Sequence, residues 1–155
     1  MPKSRKLGRG VALVGAGMSK FGAFPEKNSR DLFVEAFQSM RGSVDKGFDP
    51  ADIETIYIGN FSSDLFESQS HTAPIMADVV GLASRSATRI EDACASSGVA
   101  LRQGILAIAS GLYDVALVGG IEKMTNLPTA EVTDTLAAAA DTTYEIPAGF
   151  TFPGF

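Results

Sequence analysis

One cysteine, one histidine and no long apolar run limit what this 155-residue chain can be. The single thiol, Cys94, cannot form an internal disulfide. With His71 as the one imidazole, the clustered ligands that most zinc sites need are missing too. No stretch reaches the roughly 20 apolar residues needed to cross a bilayer. Positive charge is also short: 13 Lys and Arg stand against 18 Asp and Glu, a formal net charge of −5. A chain of that sign repels phosphate backbones, so neither nucleic acid nor membrane is expected as a partner. The basic residues Lys3, Arg5, Lys6 and Arg9 precede a short apolar stretch interrupted by glycine. They read as a solvated lead-in to a strand, not as a signal peptide. A free thiol with no export signal points to the cytoplasm.

What is present is alternation. Val11-Ala12-Leu13-Val14 ends at Gly15 and reads as a strand buried on both faces. Residues 30–44 carry Leu32, Phe33, Ala36, Phe37, Met40 and Val44 at helical spacing, with Asn28 or Ser29 as cap. Residues 53–58 are β-branched and aromatic. Residues 70–82 return to helical spacing, and Gly81 suits a helix end. A short strand is expected over 87–92, a deeply buried helix over 96–110 stopped by Gly111, and another buried strand over 115–118. A βαβαβαβ order implies a mostly parallel sheet with helices on both faces. Beyond Glu122 the pattern weakens. Residues 135–140 read as helical, and residues 148–155 show no clear element, only a tail with Phe150, Phe152 and Phe155. Aromatics in such a tail need something to cover them.

The chemistry concentrates at Asp92-Ala93-Cys94-Ala95-Ser96-Ser97-Gly98, between a strand and a helix built of small residues. A turn there lifts the side chain out of the sheet. The helix N-terminus offers free N–H groups and positive potential, which favour a thiolate and can hold an oxyanion. The bland alternative is a buried cysteine acting as a small hydrophobe. Other candidates are weaker. Gly15-Ala16-Gly17 hints at a dinucleotide loop, but Lys20 stands where a third glycine belongs. Glu91 and Asp92 read as solvated or capping carboxylates, Glu122-Lys123 as a surface or interface pair, and His71 as a surface or capping residue.

Four segments, in order along the chain, resemble one family. Residues 90–98, with Cys94, look like the active-cysteine segment of thiolases. Val118-Gly119-Gly120-Ile121-Glu122-Lys123-Met124 resembles their Gly-Gly-x-Glu-x-Met stretch. Val14-Gly15-Ala16-Gly17-Met18-Ser19-Lys20-Phe21-Gly22 and Phe150-Thr151-Phe152-Pro153-Gly154 are similar to the archaeal and sterol-carrier-type branch. The resemblance implies the N-terminal half of a thiolase-like α/β fold: an α/β domain over residues 1–125, then the start of the family's loop region over 126–155. It implies an acetyl-CoA C-acetyltransferase that makes or cleaves 3-ketoacyl-CoA through an acyl-cysteine. Cys94 would be the nucleophile, with its backbone N–H as one oxyanion donor. Met124, Phe150 and Phe152 would lie near the acyl or pantetheine path. CoA thioesters would be substrates, with no resident cofactor and no metal.

The family's Gly-His-Pro histidine and second cysteine have no counterpart here, and His71 stands in Ser70-His71-Thr72. A C-terminal half on a second polypeptide is therefore expected to supply them, along with a strand that completes the sheet. The assembly is expected to be oligomeric. By family analogy it could include 3-hydroxy-3-methylglutaryl-CoA synthase and a small zinc-containing scaffold protein. Two other readings stand beside this one: a 3-ketoacyl synthase type condensing enzyme, and a non-catalytic partner subunit of a thiolase.

Overall fold

The computed structural model describes residues 6–154. Lys3, Arg5 and Phe155 lie outside that range. Helix α1 spans Ser29–Gly42, and its start is set by a reciprocal capping box. The Asn28 side chain accepts from the N–H groups of Arg30 and Asp31, while the Asp31 carboxylate accepts from Asn28 N–H at 2.9 Å. A 3₁₀ turn at Pro50–Asp52 leads into strand β1, Thr55–Gly59. Then come the short helix α2, Ser63–Phe66, and α3, Thr72–Val79. Strand β2 is Ser86–Ile90, helix α4 Ser96–Ala109, strand β3 Ala116–Gly120 and helix α5 Thr129–Ala137. A 3₁₀ turn at Phe152–Gly154 closes the described chain.

The three strands form one parallel sheet in the order β2-β1-β3, with Gly59 level with Ile90 on one side and Gly120 on the other. Side chains alternate across it. Ile56 and Ile58, both fully buried, join Phe33 and Phe37 of α1 and Ala73 and Met76 of α3 in the main core. Each such isoleucine contributes on the order of 1.5–3 kcal/mol by leaving water. On the opposite face α4 approaches closely: a Cβ at Gly104 would stand 2.6 Å from Val118 Cγ2. Helices thus cover both faces, as the alternation implied.

Two expectations fail. Residues 11–14 are not a strand, and Leu13 and Val14 are each 72% exposed. They run beside the sheet without pairing to it. A hollow of about 660 Å³, walled by residues 11–17, α1, α4 and β3, separates them from the β3 edge. Backbone N–H and C=O groups make a strand only when a neighbour takes them, and here none is within reach. Both ends of this segment are held. Arg9, exposed as its sequence context implied, donates to Ile108 O at 2.5 Å and to the Asp114 carboxylate at 2.6 Å. Ala16 N–H donates to Ser43 Oγ at 2.9 Å. Gly17 lies against α1 so closely that a Cβ would stand 2.6 Å from Ala36 O. That close approach, not a nucleotide loop, accounts for this glycine.

Helix α4 is also less buried than expected. Ala100, Gly104 and Ala107 face the sheet, while Leu101 and Leu106 are about two-fifths exposed.

Candidate active site

Cys94 is exposed, at the point where β2 gives way to α4. The buried-hydrophobe alternative is thereby overturned. Its backbone is a tight elbow. Ala93 sits at φ 44°, in the left-handed region that a residue with a Cβ rarely occupies. Ala93–Ala95 forms a single 3₁₀ turn. The elbow is stitched by Ser96, which is buried: its Oγ accepts from Asp92 N–H at 2.9 Å and donates to Ala93 O at 2.7 Å. Glu91 Oε1 accepts from Ala93 N–H at 2.6 Å, so this carboxylate is a capping group, as its position suggested.

Beneath the elbow lies a seat of two strand-end glycines. A Cβ at Gly59 would stand 2.5 Å from Ser97 N, and one at Gly120 would collide with Ser97 Oγ. The first turn of α4 therefore rests on the C-terminal ends of β1 and β3. The adjoining thiol is exposed at this end of the sheet, and so are Ala95, Ser97 and Gly98. The Asp92, Ala93, Ala95 and Ser96 N–H groups are taken up within the elbow itself. What the arrangement offers a bound carbonyl is therefore an exposed thiol beside the positive end of α4, with small residues around it.

Glu122 and Lys123 are not a surface pair. Lys123 is 2% exposed; its Nζ donates to Phe24 O at 3.0 Å and Thr125 Oγ1 at 2.9 Å. Glu122 turns the other way. Its Oε2 accepts from Phe61 N–H at 2.7 Å, and its Oε1 from Ser62 N–H at 3.2 Å and Asn60 Nδ2 at 3.1 Å. Burial pushes the Glu122 carboxyl above the usual carboxylate range, against the opposing pull of the Phe61 and Ser62 amides and of Arg89. Sequence reasoning missed Asn60, which is 1% exposed. The available signal was a polar residue directly after a strand-end glycine, a place where a buried side chain must find partners.

The remaining sequence-derived residues are spread out. Met124, 37% exposed, continues from the β3 end. Phe150 is half-buried, and Phe152, 41% exposed, starts the last 3₁₀ turn, which packs against α5. His71 stands at the N-cap of α3, exposed and with no side-chain capping bond. Among the described residues no group of three His, Cys, Asp or Glu could hold a metal ion, and no helix is long and apolar enough to cross a membrane.

Residues 11–149 match the family model described as thiolase, N-terminal domain. The chain is 43% identical over 145 residues to the acetyl-CoA acetyltransferase of Methanocaldococcus jannaschii, covering 94% of this chain and 36% of that protein. To the acetyl-CoA acetyltransferase of Methanothermobacter thermautotrophicus it is 41% identical, covering 94% and 37%. To the 3-ketoacyl-CoA thiolase of Pseudoalteromonas translucida it is 35% identical over 115 residues, covering 72% and 28%. The chain thus spans little more than a third of the length of the curated relatives it matches.

Proposed function

Because the chain belongs to the thiolase family through its N-terminal domain, we propose that it is the cysteine-bearing part of an acetyl-CoA C-acetyltransferase. The observation that carries this reading is the exposed Cys94 on a strained elbow above the Gly59/Gly120 seat. In the proposed reaction the Cys94 thiolate attacks an acyl-CoA carbonyl, the S–C bond forms, and CoA leaves as a thiolate that takes up a proton. A second acyl-CoA gives its α-proton to a base, its carbanion attacks the acyl-Cys94 carbonyl, and the cysteine thiolate is released with 3-ketoacyl-CoA. Splitting the condensation in this way replaces one hard step with two easier ones. Met124, Phe150 and Phe152 would line the acyl or pantetheine path.

This chain holds one cysteine and one exposed histidine that makes no capping bond, and the resemblance assigns the proton transfers to a histidine and a second cysteine of the family's other half. A C-terminal half on a second polypeptide would supply them. Support for such a partner comes from the hollow of about 660 Å³ between residues 11–14 and the β3 edge, which is lined by apolar residues from both helical layers. Larger assembly, with 3-hydroxy-3-methylglutaryl-CoA synthase and a zinc-containing scaffold protein, is an extension of the same proposal.

The test is to incubate the chain and its C-terminal half with acetyl-CoA and map adducts by mass spectrometry. Acetylation of Cys94 and loss of turnover in Cys94→Ser are the expected results. An adduct elsewhere with Cys94 untouched, or turnover in the serine variant, would sink the assignment. Full turnover by the 155-residue chain alone would remove the need for a partner.

A further inference from the structure

The geometry points to Asn60 and Glu122 as positioning residues for Cys94: together they lock the C-terminal ends of all three strands in the register on which the first turn of α4 is seated. Asn60 is the hub. Its backbone N–H donates to Ile90 O at 3.0 Å, which fixes where β2 exits toward the elbow. The two N–H groups of its side-chain amide lie among three acceptors, Ser63 Oγ at 2.7 Å, Ile121 O at 2.8 Å and Glu122 Oε1 at 3.1 Å, while its Oδ1 accepts from Thr72 Oγ1 at 3.3 Å. Ile121 N–H in turn donates to Gly59 O at 3.2 Å, on the residue directly under Ser97. Three residues separate Ile90 from Cys94; the β2 end is tied through the Asn60 backbone and the β3 end through the Asn60 amide and the Glu122 carboxylate.

An ionised carboxylate suits position 122 because the groups bonded to it are all donors: two backbone N–H groups and the Asn60 amide. Adding a proton removes the charge that strengthens all three bonds and turns one oxygen into a donor among donors, which weakens the grip. Because burial holds this carboxyl above the usual range, that happens earlier on acidification than for an exposed glutamate. Among the charged groups around it, Arg89 of β2 is paired with Asp64 of α2 at 2.8 Å, and Lys20 and Glu122 both line a second, smaller hollow of about 270 Å³ between residues 17–22, α1 and the end of β3. Lys123 is turned toward Phe24. A pH-dependent grip on the elbow follows, separate from the ionisation of the thiol itself.

This inference rests on Cys94 being the reacting group. Alkylation by iodoacetamide tests it without requiring acyl-CoA turnover, so its failure is distinguishable from failure of the thiolase reading. The rate of Cys94 alkylation in the 155-residue chain is measured from neutral into acid solution. For the unaltered chain the acid limb is expected to be steeper than a single ionisation, because both the thiol and Glu122 take up protons. In Glu122→Gln the limb should follow one ionisation, and the neutral rate should fall about tenfold, the scale of one lost hydrogen bond to a charged acceptor. Lys123→Met, a buried change on the far side of the β3 extension, should keep the steep limb even if it unfolds earlier. A single-ionisation limb in the unaltered chain would overturn the proposal. So would a steep limb retained in Glu122→Gln, or one lost in Lys123→Met. Should Glu122→Gln fail to fold, the other two profiles decide.

Discussion

Residues 11–14 and 116–119 are both short apolar runs ending near glycine, yet one lies beside the sheet and the other is part of it. Ala116–Gly120 pairs with β1 along its whole length and carries α4 on its back. The earlier run is anchored at both ends, by Arg9 and by Gly17 with Ser43, but has no strand next to it. Apolarity therefore made the two segments equally eligible, and the presence of a neighbour decided which became a strand. The contrast divides the molecule into a half whose contacts are complete, around Ile56 and Ile58, and a half that frames a hollow.

The largest effects should separate those halves. Ile58→Ala, in the fully buried core, is expected to cost about 2–5 kcal/mol, whereas Leu13→Ala, at 72% exposure, should stay within about 0.5 kcal/mol. Urea unfolding midpoints measure both, and equal costs would break the comparison. If a C-terminal half fills the hollow, the Leu13 cost should rise toward that of a core residue in the assembled protein. Gly17→Ala comes next. Its Cβ would press on Ala36 O and on Met40 of α1, so the chain alone should lose about 1–3 kcal/mol as the wall of the hollow shifts. An unchanged thermal midpoint would mean that the segment is not held there.

Asn28→Ala removes the acceptor that starts α1, the helix serving both halves, at about 1 kcal/mol. Hydrogen exchange in the first turn of α1 would report it. The smallest effect belongs to Asp64. The Arg89 guanidinium holds its carboxyl below the usual range. The pair's stabilisation is therefore present above the ordinary carboxylate titration and is lost as pH falls through the lowered value. With the Asp64 side chain 46% exposed, solvent screening limits Asp64→Asn to a few tenths of a kcal/mol, about the scale of a surface pair. The unfolding difference between variant and unaltered chain should vanish in acid.

Much of this arrangement was legible before any coordinates. The capped amphipathic helix at 29–42, the β-branched strand at 55–59 and the small-residue helix after Cys94 each follow from local chemistry: a cap, a side-chain period, a glycine past the end. The elbow was legible for the same reason. A strand meeting a helix at a cysteine flanked by alanine and serine has few ways to turn. Asn60 and Lys123 were not legible. A polar side chain in a loop reads as solvated until the partners that bury it, Ile121 and Glu122 for one and Phe24 for the other, are brought in from about 60 and 100 residues away.

The sequence by itself determined the α/β class, the alternation of helix and strand from α1 to β3, and the place of Cys94 between a strand and a helix, because each depends on residues close together in the chain. Only the tertiary structure decided that residues 11–14 stay outside the sheet, that Gly59 and Gly120 exist to seat Ser97, and that Glu122 faces three donors. Those outcomes depend on which distant groups come within hydrogen-bond or van der Waals reach, and neither strand pairing nor burial is a property of a segment alone.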